Sequence, residues 1–485
     1  MCSNEQHKTW ICSSCIKESY LQEQININDD QNTCHYCNEI RACFSLVSVG
    51  NMVEKAINEH FIRTPTEPSD LEYSLSKYSE YEWERQGDNI DDIIQELLET
   101  EAIIACDIRE YLEEKYSSFD YIGEETEFSS ESYYTERQKV DTEYLDTKWE
   151  KFVSSLKTES RYINNAVKDT LDNIFSGIET MGSVKGQTII INSGPNTEIH
   201  SLYRARWSNS QTVLEQMLVL PDIELGPPPH KSSGSNRMSA KGISVFYGAS
   251  SASTAISEVR PPVGSEVVSA KFRIIRPLRL LNLQALETVW ESGSMLDPCY
   301  IKKREQIAFL RTLTSKIVNP VLPGEEDFSY IPTQVIAEYL ADSPMLNLDG
   351  ILYPSVQQKV LDTLPDFNVV LFHKASRVKY LELPAKENCD VIYWQSYSED
   401  DYEPDITVIQ KKESEKPINF YDGVTTSKDV REPTLEIELS TVTVHKIQSA
   451  YFNYTSDLVK REKHLIKEPE NTQNMLGGIY CNQDF

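Results

Sequence analysis

Residues 234–258 read GSNRMSAKGISVFYGASSASTAISE, a loop, a strand and a short helix in succession. Its first half, rich in Gly and Ser, is a loop carrying Arg237. Residues 243–247 predict a strand, Gly248 a break, and 252–259 a short helix capped by Ser250 or Ser251. Glu258 therefore ends a strand-and-helix unit. Upstream, Tyr203-Arg204-Ala205-Arg206 places two arginines on one face of an extended segment. Downstream, Thr333-Gln334 precedes the GILYPS of residues 350–355, which ends in Ser355. Further strands are expected at 188–192, 267–275, 278–283, 350–353 and 368–372, with helices at 297–313 and 333–340. The result is a mixed α+β domain. No GxGxxG follows a strand and no GxxxxGK[ST] occurs, so a Rossmann or P-loop nucleotide site is not supported.

The order YRA at 203–205, Gly234 and Arg237, Tyr247, Glu258, the Thr-Gln pair, the GxxYxS at 350–355 and the Asn368 strand resembles the RES domain, a family named for its Arg, Glu and Ser. The loop between Arg206 and Gly234 is longer than the family pattern. The resemblance implies a fold like that of ADP-ribosyltransferases and consumption of NAD, by hydrolysis, phosphorolysis or transfer of ADP-ribose. It implies Arg204, Glu258 and Ser355 as catalytic residues, with Tyr203, Arg237 and Tyr247 binding the dinucleotide.

The chemistry is consistent with those residue types. Breaking the nicotinamide–ribose bond passes through an oxocarbenium-like sugar, which a nearby carboxylate stabilises. Arg204 and Arg237 offer permanently charged forks for pyrophosphate oxygens. Tyr203 and Tyr247 can stack on a ring. Ser355 would bond a ribose hydroxyl or a phosphate; no His is placed to make it a nucleophile. Each residue also has an ordinary reading: surface ion pairs for the arginines, a solvated Glu258, a turn for Ser355 and core for Tyr247. Arg206 reads as a neighbour of the site, and His200, His230 and His373 as structural.

Cys12-Ser-Ser-Cys15 and Cys34-His-Tyr-Cys37 are two CxxC pairs separated by 18 residues. Two such knuckles close a thiolate tetrahedron, the preference of a structural zinc. Cys2, His7, His35 and Cys43 are spare donors nearby. From residue 44 to 182 the apolar spacing is helical, with Asp88 or Asn89 as a cap, and the Tyr-rich acidic stretch 116–135 reads as a mobile loop. This region resembles the HEPN-like helical domain that accompanies some RES domains. HEPN ribonucleases carry an Arg followed four to six residues later by His; no such pair occurs in the chain.

The chain has 485 residues and a formal charge of −29. Residues 66–137 hold 22 acidic side chains against five Lys or Arg, more than half of that excess. This argues against a broad nucleic-acid surface. No run of eighteen apolar residues and no signal-peptide pattern occurs, so a cytoplasmic protein without membrane contact is expected. The expected organisation is a zinc-ribbon-like four-cysteine module at 1–43, an all-helical acidic domain at 44–182, the RES domain at 187–376 and a β-rich extension at 377–485 ending in a frayed tail. The favoured function is an NAD-degrading toxin or anti-phage or stress effector. A protein ADP-ribosyltransferase is the second reading and a non-catalytic zinc-containing adaptor the third. NAD, a protein regulator or antitoxin, and a second copy of the chain are the expected partners.

Overall fold

The computed structural model describes residues 9–78, 82–116, 125–137, 143–161, 163–318, 321, 324–355, 366–395, 404–411, 429–450 and 456–459. Residues 398–403 of an acidic linker expected at 398–405, residues 117–124 of the expected loop and the expected tail of the last twenty residues lie outside them.

Nine strands build the central sheet: β1 Ile190–Ser193, β2 Ser201–Ser208, β3 Phe246–Ala249, β4 Glu266–Ile274, β5 Leu278–Asn282, β6 Gly350–Pro354, β7 Phe367–Leu371, β8 Leu435–Ile437 and β9 Thr443–Lys446. Their order is β8-β4-β2-β3-β7-β6-β5-β1, with β9 also on β4. All pairings are antiparallel except β5 with β6. That one parallel pair needs a crossover, which carries the helices Tyr300–Val318 and Ile331–Asp342.

Both faces of the sheet are covered, as the strand alternation requires. Leu281, Ile351 and Val370 face a core shared with Phe309, Leu313 and Leu340. Leu280, Leu352 and Val369 face the opposite core with Leu214 and Met217 of the Gln211–Val219 helix. The helices Glu143–Thr158 and Asn165–Phe175 pack into the first core, through Phe152, Leu156, Leu171 and Phe175. At its far edge the sheet is completed by β8 and β9, drawn from beyond residue 430.

Gly248 does not break the strand but lies inside β3. A Cβ there would stand 2.9 Å from the Leu202 Cβ of β2, so glycine permits the close approach of the two strands.

The N-terminal residues form a separate core. A three-stranded sheet of Trp10–Cys12, Gln31–Thr33 and Ile40–Ser45 packs with the helices Ser19–Asn28, Leu46–His60, Ile90–Leu98 and Ala102–Tyr116. The Thr100 hydroxyl donates to the Cys15 carbonyl at 2.7 Å and the Tyr36 hydroxyl to Asp107 at 2.7 Å, binding the cysteine knuckles to the helices. The region after residue 44 is not all helical. Phe61–Arg63, Asp88–Asn89 and Tyr133–Glu136 form a small antiparallel sheet. The expected loop is structured from 125 onward, because Phe128 and Tyr134 are buried in this core. Of the two expected caps, Asn89 accepts from the Asp91 amide at 2.9 Å. No helix among the described residues is long and apolar enough to cross a membrane.

Candidate active site

A cleft of about 500 Å³ opens where β2, β3, β6 and β7 meet the helix Ala252–Glu258. Tyr203 and Arg204 enter it from β2, Tyr247 from β3, Tyr353 from β6 and Asn368 from β7. Glu258 closes the helix whose start is capped by Ser251, the Ser251 hydroxyl accepting from the Thr254 amide at 3.1 Å. Ser250 instead donates to Asp366 at 2.9 Å, tying the turn after β3 to the start of β7. Arg237 comes from the Gly/Ser-rich loop, and Tyr330 and Arg260 complete the walls.

Arg204 is half-buried. Its Nη1 donates to the Tyr247 carbonyl at 3.0 Å and its guanidinium lies 4.9 Å from the Phe246 ring centroid. Burial, and then the neighbouring Arg206, pull its pKa down to about 9, which leaves it charged at neutral pH. Arg206 has no place in the cleft wall; it faces Glu224 at 3.8 Å.

The Thr-Gln pair anchors the loop that carries Arg237. The Thr333 hydroxyl donates to the Arg237 carbonyl at 2.6 Å, and Gln334 Nε2 donates to the Asn236 carbonyl at 2.8 Å and the Ser235 hydroxyl at 2.9 Å. The Tyr247 hydroxyl accepts from the Met238 amide at 3.3 Å, and burial pushes its pKa up to about 12. Arg237 itself donates to the Ile317 carbonyl at 2.7 Å and lies 5.5 Å from the Tyr330 ring centroid.

Glu258 accepts at a single oxygen, Oε1, from two donors: Asn368 Nδ2 at 2.7 Å and the Ser355 hydroxyl at 3.3 Å. Ser355 touches this carboxylate but does not line the cleft. Burial raises the Tyr353 phenol well above its ordinary value, with Tyr247 and the Glu258 charge adding to the effect. Sequence reading quoted Asn368 and Tyr353 only as parts of motifs and gave Asn236, Arg260 and Tyr330 no role. The signal for Asn368 is a lone amide in the otherwise apolar strand FNVVL.

The second cluster is in the N-terminal core. Sγ atoms of Cys12, Cys15, Cys34 and Cys37 lie within 4.8 Å of one another. Cys12 is 3.7 Å from Cys15 and 3.6 Å from Cys37, and Cys15 is 3.8 Å from Cys34. Thiolates about 2.3 Å from a tetrahedral zinc stand roughly 3.8 Å apart, so the donor set fits that ion. Cys43 is buried beside it with Sγ 3.5 Å from the Asn32 carbonyl, outside the set of four. Of the other spare donors, His35 packs its ring edge-on against Tyr36, while Cys2 and His7 lie outside the described residues.

Residues 221–391 match the RES domain, and residues 27–170 match HEPN/RES N-terminal domain 1. The first match includes Arg237, Glu258, Ser355 and Asn368. Arg204 precedes it in the chain and joins the site through the pairing of β2 with β3. No curated protein and no solved structure matches the chain.

Proposed function

We propose that this chain, which carries a RES domain behind a HEPN/RES N-terminal domain, cleaves the nicotinamide–ribose bond of NAD. The observation that carries the reading is one cleft holding Glu258 and the Arg204 guanidinium, the latter facing no carboxylate among the described residues.

A dinucleotide brings two phosphate charges, and Arg204 and Arg237 supply two forks for them. Tyr203, Tyr247 and Tyr353 provide flat walls for the rings. As the C1′–N bond breaks, its electron pair leaves with nicotinamide and positive charge spreads over the ribose. Glu258 stabilises that charge. An oxygen nucleophile then bonds to C1′. With water the products are nicotinamide, ADP-ribose and a proton; with phosphate, the ADP-ribose leaves phosphorylated. Glycohydrolase and phosphorylase activities thus share one set of residues. Ser355 would act on this chemistry through Glu258.

Cys12, Cys15, Cys34 and Cys37 would hold a structural zinc, since four thiolates leave no position open for water. Drained NAD would harm the cell that makes the protein, which is the logic of a toxin or defence effector under control. The N-terminal domain would exert such control, directly or by receiving an antitoxin. Arg304 of the Tyr300–Val318 helix meets His60 at 3.0 Å and Glu136 at 2.9 Å, and the far end of that helix receives Arg237.

The test is to incubate the full chain with NAD in water and in phosphate and separate the products by chromatography. Nicotinamide with ADP-ribose means hydrolysis; nicotinamide with phosphorylated ADP-ribose means phosphorolysis. Label transferred from NAD to protein would instead support the ADP-ribosyltransferase reading, and bound but intact NAD the adaptor.

A further inference from the structure

Asn368 lies in the middle of the sheet, paired with Ala249 of β3 on one side and Tyr353 of β6 on the other. It is 2% exposed, in a strand whose next three residues are buried and apolar. A buried amide in such a strand is retained only if its polar atoms are satisfied. Its partner is the Glu258 carboxylate at 2.7 Å. An ionised carboxylate has no proton to give, so the amide must present its NH2 side to it.

We propose that Asn368 is the positioning residue of Glu258: with Ser355 it pins Oε1 to the sheet and so aims Oε2 at the ribose. Both donors converge on Oε1, and Oε2 has no hydrogen-bond partner among the described residues. Asn368 stands on β7 and Ser355 directly follows the neighbouring β6, in the middle of the strand order, whereas Glu258 is the last residue of a seven-residue helix. A carboxylate on so short a helix gains its fixed direction from the sheet beneath it. This inference rests on the NAD-cleaving reading for its chemistry, though not for its geometry.

Asn368→Asp keeps the shape of the side chain and removes the donor; its carboxyl donates again only when protonated. Asn368→Leu removes the donor at every pH. In full-length protein, both variants are expected to lower kcat for nicotinamide release about a hundredfold at neutral pH with KM little changed, as for a misaimed catalytic group. The rate of Asn368→Asp relative to wild type is expected to climb as pH falls, while that of Asn368→Leu stays flat. Crystal structures of the variants provide a readout independent of activity: Glu258 should leave the position it holds in the wild type. The proposal is overturned if Asn368→Asp keeps wild-type kcat, if its relative rate does not climb at acid pH, or if Glu258 stays in place in both variants. If wild-type protein releases no nicotinamide, the NAD reading falls and the position of Glu258 alone decides the role of Asn368. If Asn368→Leu does not fold, the isosteric Asn368→Asp carries the test.

Discussion

The Arg204 guanidinium donates to the Tyr247 carbonyl at 3.0 Å, and no carboxylate pairs with it among the described residues. A cation placed this way is a cost to the free protein and an asset to anion binding. Arg204→Met is therefore expected to raise thermal stability by about 1 kcal/mol. The same change should weaken ADP-ribose binding about tenfold to a hundredfold, the worth of a charged hydrogen bond. Calorimetric melting and titration of one sample check both. Loss of stability together with unchanged affinity would show that Arg204 is a structural residue.

The cysteine cluster shares its surroundings with the N-terminal helices. Purified protein is expected to contain one zinc per chain, and Cys34→Ser to contain none. Zinc binding free energy becomes folding free energy, on the order of 10 kcal/mol in small zinc modules. Chelation should therefore melt the core around Val53 and Ile108 and not only the knuckles. Metal analysis and hydrogen exchange over residues 46–116 check this.

His60 ends the helix Leu46–His60 and is fully buried, with Nδ1 3.0 Å from an Arg304 nitrogen. Burial, then the charges of Arg304 and Arg137, push its pKa down to about 4; Glu136, paired with Arg304, is the acid beside it. Between pH 6.5 and 4 the unfolded chain then binds this proton and the folded chain does not. Stability is thus expected to fall as pH drops through that window, by at most about 3 kcal/mol. Melting curves across this range, compared with His60→Gln, isolate the contribution; the variant should lose less.

Phe128 is 1% exposed, with ring centroids 5.2 Å from Tyr116 and 6.1 Å from Tyr134. Phe128→Ala is expected to cost about 3–5 kcal/mol, as for a large core aromatic. Denaturant unfolding measures it. A cost under about 0.5 kcal/mol would return this segment to the class of surface loops.

This last case shows where sequence reading stops. Residues 125–136 carry so many acids and hydroxyls that local polarity conceals two core aromatics. Only the helices they pack against reveal them. Gly248 misleads for a related reason: backbone propensity marks glycine as a break, while its use here is the contact with Leu202, a tertiary fact. The helix ending in Glu258 is legible because its cap and its hydrophobic spacing are local. The cluster of four cysteines is legible because two-residue gaps limit where the thiols can go. By contrast, no local pattern tells that residues 435–446 complete the edge of the sheet, or that Ser355 reaches Glu258 rather than the open cleft. Such pairings depend on sheet order, which spacing does not encode.

The central claim is tested most directly by measuring nicotinamide release from NAD by the full-length protein beside Glu258→Gln. Multiple turnovers by the wild type are expected, with a loss of at least about a hundredfold in Glu258→Gln, since that change removes the charge meant to stabilise the ribose cation. Intact NAD in the presence of folded wild-type protein, or equal rates for the two proteins, would contradict the account.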